Sequence, residues 1–113
     1  MPNIHLQTNL TVTPAASQEL KVLLGKAIET IPGKTETWLM VELVGGVDMC
    51  FQGQNDPCAL VHVELLGSAT EAVYEKMTAV VTDCLTKTLD LAPERVYVKY
   101  SEYPRWGWNR INL

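Results

Sequence analysis

Pro2 has the least ordinary chemistry of any residue in this chain. Initiator methionine is generally removed before a small residue, and Pro2 would then present a secondary amine. An α-amino group titrates at about 7.7–8.0, nearer neutrality than other strong bases. Burial and a nearby cation both disfavour its charged form. A neutral amine at pH 7 is a usable general base. If Met1 stays, Pro2 is an amide and has no such function. The plain alternative is chance, since proline makes up about 5% of residues.

Two further side chains have suggestive positions. Lys34 follows a predicted helix end and precedes a strand, which suits a ligand for an anion. It equally suits a solvated lysine that complements the helix dipole. Tyr97 lies on the opposite strand face from Val96 and Val98, as a site residue or as a sheet-packing aromatic. His5 and His62 each alternate with apolar residues in a strand and read as structural or surface side chains. There is no G-x-G-x-x-G, P-loop, G-x-S-x-G or H-E-x-x-H. Neither a metal nor a cofactor is expected.

The elements that must position these residues follow from periodicity. Ile4, Leu6, Thr8 and Leu10 alternate with polar residues, a strand pattern. Thr13-Pro14 reads as N-cap and first helical residue. Leu20, Leu23, Leu24, Ala27, Ile28 and Ile31 recur at steps of three and four, predicting a helix from Ala15 to Ile31 that Gly25 weakens slightly. Pro32-Gly33 ends it. Thr37–Val44 reads as a strand apolar on both faces. Val47–Pro57 is a connector, with Met49-Cys50-Phe51 as a short strand candidate. Cys58–Leu66 is a strong strand. Ser68 and Glu71 suggest a capping box for a helix with Val73, Met77, Val80, Val81 and Cys84 inside. Arg95–Tyr100 is the last main strand, before a turn-rich aromatic tail.

The order is strand–helix–strand, connector, strand–helix–strand, with corresponding elements roughly 56–58 residues apart. The pseudo-repeats are about 1–57 and 58–113. Two βαβ units predict an α/β (α+β) domain spanning 1–113, with parallel strand pairs in a four-stranded sheet and both helices on one face. The other face, read as carrying Val, Leu and Trp side chains, predicts self-association.

Composition narrows the function classes. The 113 residues suit one domain with a real core. Hydrophobic residues make up 47% and charged residues 19%, so the chain is not a disordered one. Nine basic against thirteen acidic residues give −4, which argues against a nucleic-acid or anionic-membrane partner. No apolar run approaches the roughly 18–20 residues of a membrane span. The start, MPNIHLQTNL, has no signal-peptide pattern. Three cysteines, Cys50, Cys58 and Cys84, have no zinc spacing, and a reducing, cytoplasmic location is expected.

Six features in order resemble one family: Pro2 after Met1, Thr8-Asn9, Gly33-Lys34, Asp56-Pro57-Cys58-Ala59-Leu60, Pro93-Glu94-Arg95-Val96-Tyr97 and Gly107-Trp108-Asn109. Together they resemble macrophage migration inhibitory factor and its relatives in the tautomerase superfamily, from residue 1 to about 109. The resemblance implies a homotrimer whose sheets form an inner barrel. It implies keto–enol tautomerisation of small aromatic α-keto acids, of the phenylpyruvate tautomerase and dopachrome isomerase type. By position it makes Pro2 the base, Lys34 the carboxylate ligand and the Leu66 backbone a substrate contact. Tyr97 and Lys99 would reach in from a neighbouring subunit, and Trp106 and Trp108 would wall the pocket. A cytokine-like signalling protein with vestigial activity is the alternative, although no residue marks a receptor surface.

Some positions depart from the family pattern. Lys99 replaces an asparagine of the vertebrate cytokine, and Leu65-Leu66-Gly67 replaces Ser-Ile-Gly. Val61 stands where that cytokine has its second thiol. Lys99, on the same strand face as Tyr97, reads either as a lysine turned into solvent with no role or as a rim cation that would favour a distal anionic or hydroxylated substrate group.

Overall fold

The computed structural model describes all residues 1–113. Strand β1 (Pro2–Thr8) is followed by helix α1 (Pro14–Ala27), β2 (Met40–Val44), β3 (Ala59–Leu66), helix α2 (Glu71–Leu89) and β4 (Val96–Tyr103). A small hairpin, β5 (Gly107–Trp108) with β6 (Ile111–Asn112), closes the chain. The sheet order is β2-β1-β3-β4. Each repeat supplies a parallel pair, β1 with β2 and β3 with β4, and the two meet through antiparallel β1 and β3. No helix is long and apolar enough to cross a membrane.

Alternation decides what the sheet buries. Pro2, Ile4, Leu6 and Thr8 of β1 and Ala59, Val61, Val63 and Leu65 of β3 face the helices. They pack against Leu20 and Leu24 of α1 and Met77, Val81 and Leu85 of α2. Each such aliphatic side chain contributes about 1.5–3 kcal/mol by leaving water.

The opposite face corrects the sequence reading. Register places Asn3, His5 and Gln7 there, beside Met40, Glu42 and Val44 of β2. Leu60, His62 and Glu64 follow on β3, and Tyr97, Lys99 and Ser101 on β4. The face is therefore mixed and largely polar, with exposed apolar groups such as Met40, Val44 and Tyr97 at its edge strands. An apolar face needing cover is not what this sheet offers.

Local differences have physical causes. Thr13 caps α1 as expected, its hydroxyl accepting the Ala16 N–H. The helix gives way to a 3₁₀ turn at Ile28–Thr30 before Pro32. Residues 36–38 form a 3₁₀ turn rather than the start of β2. The register explains this: Met40 faces Asn3, so an earlier start would need partners at Pro2, which has no N–H, and at the chain end. Thr70, not Ser68, caps α2 by accepting the Val73 N–H. Cys50 and its neighbours form no strand; Phe51 and Gln54 instead close a tight turn.

Three of the family-like motifs interlock. The Thr8 hydroxyl donates to the Cys58 carbonyl at 2.7 Å, and Asn9 exchanges side-chain hydrogen bonds with Asn55, Asp56 and Cys58. The buried Arg95 guanidinium donates to the carbonyls of Phe51, Gln54, Asp56 and Pro57. It also lies 5.1 Å from the Phe51 ring centre, a cation–π contact. These bonds order the connector and fix where β3 begins, and so where its far end, Leu66, meets the N-terminus.

Candidate functional site

The first strand begins at the rim of a cavity of about 620 Å³. Met1 enters it from the chain end, Pro2 and Asn3 from β1 and Glu64 from β3, and Trp38, Trp106 and Trp108 form an aromatic wall. Trp38 and Trp108 meet edge to face, 5.0 Å between centres at 85°. Trp106 packs in the same manner on Tyr103, at 5.9 Å.

Leu66 ties the catalytic candidates together. Its N–H donates to the Met1 carbonyl at 3.0 Å, and its own carbonyl accepts from Lys34 Nζ at 2.8 Å. Lys34 is brought there by the turn at Pro32-Gly33, where Gly33 holds φ at +80°, a conformation costly for other residues. Burial, and then the Lys34 ammonium beside it, hold the Met1 amine below the usual α-amino range. Pro2, one residue further in, is itself buried. Removal of Met1 therefore creates a secondary amine at Pro2 and frees the Leu66 N–H that Met1 had engaged.

The far side of the cavity is anionic. The Glu64 carboxylate accepts from Asn3 Nδ2 at 2.9 Å and from the Tyr103 hydroxyl at 2.7 Å. Those two bonds, the tyrosine's first, hold its pKa below the ordinary carboxylate value.

Of the residues chosen from sequence, Pro2, Lys34, Leu66, Trp106 and Trp108 gather at this end of the sheet. Tyr97 and Lys99 do not. Tyr97 faces Leu60 across the register, whereas Pro2 faces Leu65, about 16 Å further along β3 at some 3.3 Å per residue. Lys99 lies with His5, Gln7, Leu60 and His62 around a separate cavity of about 140 Å³. Within one chain, neither side chain borders the amine's cavity. Sequence reasoning missed Trp38, Asn3 and Glu64. The alternation of β3, which puts Glu64 on the same face as Leu66, was the available signal for one of them.

Other features hold less chemistry. A larger depression of about 910 Å³ lies between α2 and β4, with Glu71, Glu75 and Glu102 along it. It contains neither an amine nor a free nucleophile, and Glu102 is engaged by the Tyr74 hydroxyl. His62 shares a hydrogen bond of 2.7 Å with Ser101, and His5 lies 3.9 Å from Glu42, in keeping with their structural reading. All three cysteines are free thiols; Cys58 is buried beneath the connector and Val61 is buried in the core.

With this geometry in view, the comparisons with known proteins are decisive. The family model described as macrophage migration inhibitory factor (MIF) matches residues 1–110. The chain belongs to the macrophage migration inhibitory factor family. It is 30% identical to macrophage migration inhibitory factor of Mus musculus, over 96% of each chain. It is 32% identical to D-dopachrome decarboxylase of Gallus gallus, covering 96% of this chain and 90% of that one. Among solved structures it is similar to Leishmania major MIF2, with a TM-score of 0.93, 26% identity and coverage of 100% and 97%. The macrophage migration inhibitory factor homologue of Prochlorococcus marinus matches with a TM-score of 0.88, 27% identity and 97% coverage of each. The family's fold thus extends over the whole chain, including the aromatic hairpin that walls the cavity.

Proposed function

We propose that this chain is a keto–enol tautomerase of small aromatic α-keto acids, of the phenylpyruvate and dopachrome type, with the Pro2 amine as general base. One observation supports this most: the N-terminal amine, carried by Met1 one residue before Pro2, lies at an aromatic-walled cavity, beside a lysine that helps to depress its pKa. The named activity of the Gallus gallus relative, which acts on a dopachrome, is in keeping with it.

The residues then divide the work. Lys34 and the freed Leu66 N–H hold the substrate carboxylate. The neutral Pro2 amine removes a proton from the carbon next to the ketone. Negative charge moves onto the ketone oxygen, where the same cation stabilises it. The proton then passes from the prolinium to that oxygen, giving the enol, and the reverse steps regenerate the ketone. No cofactor takes part. Trp106, Trp108 and Trp38 receive the aromatic ring.

A homotrimer belongs to this reading. Tyr97 and Lys99 lie too far from Pro2 in their own chain, so a neighbouring copy must bring them to the site. Sedimentation at micromolar concentration is expected to give the mass of three chains, and a single-chain mass contradicts this part of the reading. The activity itself is tested with Pro2→Gly, shown by intact mass to have lost Met1. Positioned proton transfer contributes roughly 10²–10⁴-fold, and a loss of phenylpyruvate turnover in that range is expected. Undiminished turnover contradicts the assignment of the base.

A further inference from the structure

Glu64 is the one carboxylate in the cavity of the amine, and neither sequence motif nor mechanism accounts for it. A carboxylate has about four acceptor positions. Asn3 Nδ2 fills one on Oε1 and the Tyr103 hydroxyl one on Oε2. Each oxygen therefore retains room for a further donor. One cationic side chain, Arg105, borders a neighbouring depression with Glu64 and Tyr103 but makes no ion pair with the carboxylate. His62 and His5 lie further along the same face, and Glu42 beyond them. Within one chain no ion pair neutralises this charge, which borders the space walled by Trp38, Trp106 and Trp108. Aromatic faces around a carboxylate make a setting for a cation, since ring faces attract positive charge. They are a poor setting for an anion.

We infer that Glu64 sets substrate choice: the cavity prefers an aromatic α-keto acid whose end remote from the carboxylate carries an N–H donor, above all a protonated amine. This rests on the tautomerase reading and extends it. The substrate spans the cavity with its carboxylate at Lys34 and its donor at Glu64, its ring between the tryptophans. The preference runs opposite to the one a rim cation at Lys99 would give, because the charge that the chain's own residues place at this cavity is negative. The donor that Glu64 accepts from lies on a part of the substrate that does not react, so the contact is made equally in ground and transition states and acts on KM rather than kcat.

The test compares phenylpyruvate with 4-(aminomethyl)phenylpyruvate, using protein verified to begin at Pro2. The wild-type chain is expected to favour the amine by about tenfold in kcat/KM, mainly through KM, and Glu64→Gln to abolish that preference. Glu64→Asp, which keeps the charge, is expected to retain most of it. A wild-type chain that favours phenylpyruvate overturns the inference even if Glu64→Gln does not fold, and so does a preference that survives in Glu64→Gln. Quenching of tryptophan fluorescence by the same two compounds reads binding without turnover. If neither compound is turned over, the tautomerase reading fails by itself. Tighter quenching by the amine, lost in Glu64→Gln, then still supports the role of Glu64, and equal quenching overturns it.

Discussion

Replacing Lys34 with methionine separates two ways in which a cation can serve this site. Lys34 Nζ donates to the Leu66 carbonyl and lies close enough to the N-terminal amine to depress its pKa. Methionine keeps most of the stem and removes the charge. Loss of a charged hydrogen bond to the substrate carboxylate, at about 1.5–3 kcal/mol, lowers kcat/KM by roughly 10–150-fold. A second effect depends on pH. The base must be neutral to act, so activity rises with pH through its pKa. Lys34 lowers the pKa of the Met1 amine and is expected to act in the same sense on a free Pro2 amine; without it the pKa rises and the acid limb of the profile moves to higher pH. The variant's deficit is therefore larger at pH 6 than at pH 9. The assay is kcat/KM for phenylpyruvate across that range, on protein beginning at Pro2. If Lys34 merely braced Leu66, the deficit would be the same at every pH and would accompany a loss of stability. A limb that stays in place, or moves to lower pH, refutes the electrostatic argument.

Two other changes test the frame around the site. Arg95→Leu leaves four carbonyls short of their donor, and is expected to cost about 3 kcal/mol or more in urea unfolding, together with loosening of the connector; an unchanged midpoint contradicts the interlock described above. Tyr74, with its pKa pushed up to about 12 by burial and by Glu102, is expected to ionise late in an ultraviolet titration, and earlier in Glu102→Gln. Because its folded pKa exceeds the unfolded one, its contribution to stability is complete below about pH 10 and is lost as pH rises towards 12. Stability in Glu102→Gln is expected to fall less over that interval, and an identical alkaline decline in both proteins counts against the contact.

The fold was legible where local signals agreed with tertiary demands. Thr13-Pro14 capped the helix it preceded, and the alternation of Ile4, Leu6 and Thr8 gave the buried face of β1 correctly. The second cap was misread because both Ser68 and Thr70 suit the role; Glu102 accepts the Ala69 N–H from β4, a long-range contact that no local pattern displays. The sheet's outer face was misread as apolar because the content of β2 was judged by its valines and leucines. Pairing then set Asn3, His5, His62 and Glu64 side by side, and only register reveals that.

The same division holds for the site. Pro2, Lys34, Trp106 and Trp108 are recognisable as residue types near chain landmarks. The Leu66 bridge joins backbone atoms, and backbone chemistry leaves no trace in residue identity. Trp38 read as strand because it stands in an apolar run; the late start of β2 opposite Asn3 turns it into a wall of the cavity.

The central claim is that a free Pro2 amine does the chemistry. The most direct measurement compares two preparations of the same chain, separated by intact mass: one with Met1 removed, one with Met1 retained. Phenylpyruvate turnover is expected in the first and is expected to fall at least about 10²-fold in the second, in which Pro2 is an amide and Met1 occupies the Leu66 N–H. Equal turnover by the two preparations contradicts the account.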